Sequence, residues 1–274
     1  MSTTTYAKLN VSRGYRAPNI AELGSNGVHE GTLRYEIGNA QLKPENSLQF
    51  DWAIGMNTEH ISAELDLFHN TVDHFIYSHK LNSIEGGDSL REEVQVFKFS
   101  QGQARLYGGE FSLDIHPHPL DWLHIENKFS YVHATLANQP DSSRYLPLTP
   151  APHWISDIKI HINKISHFLT NSYVKFGIDH NWKQNHYYAA YGTETGTPAY
   201  TLLNFGVGTE IVSKKQTVCS LFISINNLTN VAYQSHLSRL KYGETNYVTG
   251  RTGVYNMGRN ISFKLLIPVY FSKD

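Results

Sequence analysis

One cysteine, Cys219, stands in 274 residues, which leaves no disulfide framework and no paired-cysteine metal knuckle. Neither charge is in surplus: 23 basic against 24 acidic side chains give a net charge of −1, so no basic footprint points to nucleic acid. No apolar run approaches the ~18 residues of a membrane-spanning helix. That excludes transmembrane helices but not transmembrane strands, which are half polar; the mean hydropathy of −0.38 is neutral on the point. The opening stretch, MSTTTYAKLNVSRGY, has no basic segment leading into an apolar one and no small-residue cleavage site. It reads as a strand from Thr4, either of a cytosolic protein or of a piece of something longer. Catalytic signatures are missing too: there is no G-x-S-x-G, H-E-x-x-H or P-loop. Asp73-His74 and Asp179-His180 have nothing beside them to complete a catalytic set, so an enzyme is not expected.

What the chain has instead is alternation. Leu48, Phe50, Trp52, Ile54 and Met56 fall on one face of a strand, and Gln49, Asp51, Ala53 and Gly55 on the other. The same period of two recurs at 61–67, 107–115, 123–131, 154–162, 174–179, 203–207, 219–225 and 261–269, and no helical period competes with it. With 4–12 this makes about ten strands. The connections alternate in length. Residues 57–60, 116–121, 163–167 and 212–216 are short turns, whereas 13–44, 79–93, 134–151, 182–198 and 234–254 are long and polar. All long loops therefore leave one edge of a single antiparallel sheet, as in transmembrane barrels. One face carries Glu64, Asp66, Glu110, Asp114, Glu126, Lys128, Asp157, Lys159, Lys175, Asp179 and Lys264, and must be wet. The other is apolar with no helix to cover it. Trp52, Tyr77, Trp122, Tyr131, Trp154, Trp182, Tyr233 and Phe271 suggest aromatic girdles. The fold class expected is all-β, an antiparallel transmembrane β-barrel. A stand-alone small outer-membrane barrel of protease or adhesin type, or a soluble β binding protein, is the alternative.

Six boxes, in order along the chain, carry a resemblance. Ser12-Arg13-Gly14-Tyr15-Arg16-Ala17-Pro18 is followed by Glu22-Leu23, and then by Gly38-Asn39-Ala40-Gln41-Leu42-Lys43-Pro44-Glu45. Phe68–Tyr77, Tyr107-Gly108-Gly109-Glu110, Asn226-Asn227-Leu228-Thr229-Asn230-Val231-Ala232-Tyr233 and Gly258-Arg259 complete the series. Together they resemble the barrel of TonB-dependent outer-membrane receptors. The resemblance implies that residues 1–274 are one partial barrel domain, the C-terminal ten or so of roughly twenty-two strands. A plug domain, an energy-coupling box and a signal peptide would precede it. It implies contact with outer-membrane lipid, coupling to the TonB complex through the plug, insertion by the barrel assembly machinery, no nucleic-acid partner and no resident cofactor. Arg16, Ala17, Pro18, Gly38, Asn39, Leu42, Glu45, Gly109, Glu110, Asn227, Leu228, Tyr233, Gly258 and Arg259 are its structural motif positions. Two departures stand out: Ala40 occupies a proline position, and Ser272-Lys273-Asp274 run past the usual terminal aromatic. Ten strands with the shear of a larger barrel would also leave two unpaired edges.

The loop from Glu22 to Asn39 resembles that of zinc-uptake receptors, and haem receptors place a histidine there too. Imidazole and carboxylate suit zinc, which makes His29 the candidate metal ligand with Glu30 beside it. A zinc site needs at least three protein ligands, and the remainder would come from other loops, through His79, His133, His186 or His236, or from the plug domain. His116-Pro117-His118-Pro119 lies in a short turn and reads as a tight corner. The function expected is uptake of a metal or metal chelate, zinc first, with haem or a ferric siderophore as the alternative.

Overall fold

The computed structural model describes residues 4–214 and 216–269. Ten strands form one continuous antiparallel meander: Thr4–Arg16, Glu45–Asn57, Ile61–Lys80, Val94–Ile115, Leu123–Leu136, His153–Lys164, Leu169–Asn181, Tyr200–Ser213, Gln216–Asn226 and Asn260–Leu266. Each pairs with its sequence neighbour, and three short loop strands join the same sheet. The long and short connections alternate throughout, so every long loop sits on one edge. The expected terminal aromatic Phe271 and the extension after it lie outside the described residues.

Burial is inverted relative to a water-soluble sheet. In the second strand Leu48, Phe50, Trp52, Ile54 and Met56 are 37–45% exposed, while Gln49, Asp51 and Ala53 between them are half-buried. Ile158, Ile160, Ile162, Phe176, Leu221 and Ile223 repeat the pattern on later strands. In water, exposing such a belt would forfeit about 1.5–3 kcal/mol per large side chain; in hydrocarbon that loss disappears. Among the described residues no helix is long and apolar enough to cross a membrane. The inner face is ionic and paired: Lys175 Nζ lies 2.8 Å from Asp157 and His153 Nε2 lies 2.8 Å from Asp179, while the Tyr6 hydroxyl donates to Glu64.

Three differences from the sequence pattern matter. First, the fourth strand begins at Val94, well before the alternating segment at 107–115, because its loop-side half mixes Phe97 and Phe99 with Lys98, Gln101 and Gln103. Second, the third strand bulges between Val72 and Phe75, with His74 at φ 59°. The extra residue moves Phe75, Tyr77 and His79 to the inner face, where Tyr77 meets Tyr188 at 5.8 Å. Tyr77 therefore belongs to no outer girdle. Trp52 also departs, sitting mid-strand opposite Leu9 and Leu67; Trp122 and Trp182 do mark the two rims. Third, the first loop is structured. Asn19 and Glu22 form a capping box on a short helix, Ile20–Gly24, followed by a hairpin of Asn26–His29 against Arg34–Ile37.

The buried apolar cluster lies on the inner face at the loop edge: Val72, Ala104, Ala134, Leu136, Leu146 and Tyr188. It seats the loops on the wall. Among the described residues the first and last strands do not pair with each other, so the wall is an arc with two edges. Hydrocarbon does not tolerate unpaired edges.

Candidate functional site

Loop packing against the loop-side ends of the third and fourth strands leaves a cavity of about 240 Å³. Its floor comes from the bulged third strand and the start of the fourth, through Tyr77, Phe97 and Phe99. Its walls come from loops far apart in sequence, through Arg34, Glu194, Arg239 and Tyr242. Arg34 is 8% exposed. Its guanidinium lies 4.3 Å from the centroid of Phe97 and 3.9 Å from Glu36. Burial first, then the Arg239 charge, pushes the Arg34 pKa down to about 10, so it remains a cation at neutral pH. Glu194 accepts backbone N–H groups of Leu148 at 2.8 Å and Tyr188 at 3.1 Å. Burial raises its pKa despite those bonds and the nearby Lys241 and Arg239 charges. The Tyr242 hydroxyl accepts from Thr195 N. A cavity with two arginines, aromatic rings and a hydrogen-bonded carboxylate suits an anionic, partly aromatic ligand.

The histidines singled out from the sequence lie in four different surroundings. His29 closes the loop hairpin opposite Arg34, exposed, with Nδ1 3.1 Å from Thr32 Oγ1; Glu30 beside it is exposed at the hairpin tip. His79 points inward, its ring between Tyr188 and Tyr191 and its nitrogens on Ser100 Oγ and the Lys80 carbonyl. His133 and His186 do meet, at 5.4 Å between rings. They do so beside Tyr107 and Tyr145, on the face that His133 shares with Phe129. His236 is buried, with Nδ1 2.7 Å from Thr197 Oγ1 and 3.2 Å from Lys241 Nζ, and with Nε2 unpartnered. Among the described residues none of them joins a group of three metal-ligating side chains. The one such group is Asp114, His116 and His124 at the turn edge, which a linear reading of His116-Pro117-His118-Pro119 as a plain corner misses.

The family model for the TonB dependent receptor-like β-barrel matches residues 3–228. The chain belongs to the TonB-dependent receptor β-barrel family. Its fold is similar to that of the copper transporter OprC, with a TM-score of 0.74 at 16% identity over 97% of this chain and 37% of that one. It is also similar to the ferric enterobactin receptor PfeA of Pseudomonas aeruginosa, at 0.61 and 18% over 96% and 38%. The siderophore receptor PirA of Acinetobacter baumannii gives 0.61 and 17% over 96% and 39%. The chain thus spans under two-fifths of the solved receptors it matches. TonB-dependent receptors are outer-membrane transporters rather than enzymes, which is the setting the inverted faces require.

In this TonB-dependent receptor barrel most of the family boxes anchor loops, and Gly109 and Glu110 belong to the wall itself. Arg16 holds Glu45 through two bonds of 2.7 Å and Glu22 through bonds of 2.9 and 3.0 Å, and Glu45 also accepts Ile76 N at 2.7 Å. Pro18 and Ala17 carry the chain from that fork into the capped helix. Gly38 N donates to Ser25 O at 2.7 Å, and a Cβ there would lie 2.6 Å from backbone nitrogen; Asn39 N donates to Glu22 O. Leu42 is buried beneath them. Gly109 faces Leu67, leaving no room for a Cβ, while Glu110 faces the lumen beside Lys128 and His153. At the last loop Asn227 brackets Val231, and Leu228 N donates to Leu203 O. Arg259 Nε donates to Leu228 O and Gly258 abuts Asn230. Tyr233 packs on Tyr200 at 4.5 Å.

Proposed function

We propose that this chain is the C-terminal part of an outer-membrane receptor that takes up a metal chelate, energised by the TonB complex through a plug domain. The barrel assembly machinery would insert it. The observation that carries the substrate class is the convergence of Arg34 and Arg239 around one cavity walled by aromatic rings. Two guanidiniums beside aromatic faces favour a ferric siderophore or haem, both anionic and flat in part, the carboxylates of Glu22 and Glu194 on the same lining being engaged by Arg16 and by backbone N–H groups. Uptake of free zinc through His29 and Glu30 is the second reading, resting on the loop's resemblance to zinc-uptake receptors. The two readings separate in one experiment on the full-length receptor, titrated with a ferric catecholate, haem and zinc ion. Under the chelate reading, Arg34→Ala with Arg239→Ala weakens ferric catecholate or haem binding about tenfold or more, and His29→Ala changes nothing. Chelate binding that survives the arginine changes, with zinc binding lost in His29→Ala, would replace the first reading by the second.

A further inference from the structure

At the edge opposite the loops, we propose that Asp114, His116 and His124 bind a divalent transition-metal cation on the lumen face of the turn-side rim. This site does not depend on the cargo reading, because it lies at the other rim and shares no residue with the loop cavity. The turn between the fourth and fifth strands builds it. Ile115 pairs with Ile125, so His116 and His124 sit opposite each other one step beyond, on the face that carries Asp114 and Glu126. Backbone bonds fix that end of the hairpin: His116 N donates to His60 O and Leu123 N to Leu120 O, each at 2.7 Å. The His116 and His124 rings are 4.1 Å apart, and one ligand atom from each of the three residues lies within 4.8 Å of the others. Metal–ligand bonds of about 2.0–2.2 Å bring tetrahedral ligands to roughly 3.3 Å from one another, a gap that side-chain rotation spans.

Asp114 supplies the second observation. One of its oxygens, Oδ2, lies 2.8 Å from His116 Nε2, while Oδ1 is shut off from solvent with no hydrogen-bond partner. The Asp114 side chain as a whole is 36% exposed, so this unpartnered oxygen is free to turn towards a cation entering from the lumen. The cation that would otherwise compete is turned away: Lys159, which pairs with His124 across the strands, places its ammonium 4.7 Å over the Tyr173 ring. His161 backs the site, its ring 4.7 Å from that of His124. Two imidazoles and one carboxylate select zinc, copper or nickel over magnesium or calcium, which favour all-oxygen shells. Solvent fills the fourth position.

The test uses the full-length protein in detergent, stripped with chelator and titrated with Co²⁺, whose visible absorption reports imidazole ligation, and then with Zn²⁺. One equivalent of Co²⁺ with visible bands, displaced by Zn²⁺, is expected. His116→Ala or His124→Ala should weaken that equivalent about tenfold or more, while His29→Ala retains it. Unchanged binding in the turn variants, or no Co²⁺ bands in the unaltered protein, overturns the proposal. Should the variants misfold, Zn²⁺ protection of His116 and His124 against diethyl pyrocarbonate in the unaltered protein decides it; equal modification with and without Zn²⁺ refutes the site.

Discussion

His236 shows how a single residue couples the loop cap to pH. It sits 4% exposed between Thr197 and Lys241. Burial first, then the Lys241 charge, pushes its pKa down to about 4. Its unfolded value is near 6.5. Between those values the opened loop binds a proton that the closed loop refuses, so closure weakens as the pH falls from about 6.5 towards 4, by at most about 1.4 kcal/mol per pH unit. Loop opening followed in denaturant at pH 7.5 and pH 5 should show this loss, and His236→Gln should flatten it. An unchanged slope in that variant would assign the acid sensitivity elsewhere. Arg16 is the complementary case, a residue whose cationic fork ties two carboxylates and so anchors a strand end. Lysine, a point charge, would not replace it.

At the scale of the element, one extra residue decides what the third strand presents. The bulge at Asp73 and His74 divides it into a membrane-facing half and a loop-seating half, and re-aims Phe75, Tyr77 and His79 inward. Deleting His74 restores plain alternation and sends those rings outward, away from Tyr188. The loop cap should lose about 2–5 kcal/mol, as for large buried side chains removed from a core, while the wall persists. Protease nicking within 137–152 and 182–199, against retained heat-modifiable gel mobility, reads the two separately; nicking no faster than in the parent would show that the bulge has no such role.

For the whole molecule, the decisive property is which solvent each face meets. Lysine at Phe50 or arginine at Ile160 puts a charge into hydrocarbon and should cost about 2–4 kcal/mol near the bilayer midplane. Asp51→Asn on the lumen face should cost well under 1 kcal/mol. Equilibrium folding into lipid vesicles measures both; equal costs on the two faces would contradict the orientation. The arc has two edges, and its neighbours in the fold are more than twice its length, so these measurements belong to the full-length receptor.

The chain's own pattern determined the strands, the sorting of loops to one edge and the identity of the lipid face. Those follow from a period of two and from turn chemistry, both local. The six boxes were legible for the same reason: each is a short run, four of them at strand ends or in the loops next to them and two, Phe68–Tyr77 and Tyr107–Glu110, within the third and fourth strands. Tertiary structure alone decided where the histidines went. Whether His79 faces in or out depends on a bulge that leaves no mark in the alternation of 61–67. Whether Arg34 meets Arg239 depends on how two loops far apart in sequence pack against the ends of the third and fourth strands. Asp114, His116 and His124 meet because strand register, set by hydrogen bonds between neighbours, aligns residues that the turn holds apart in sequence.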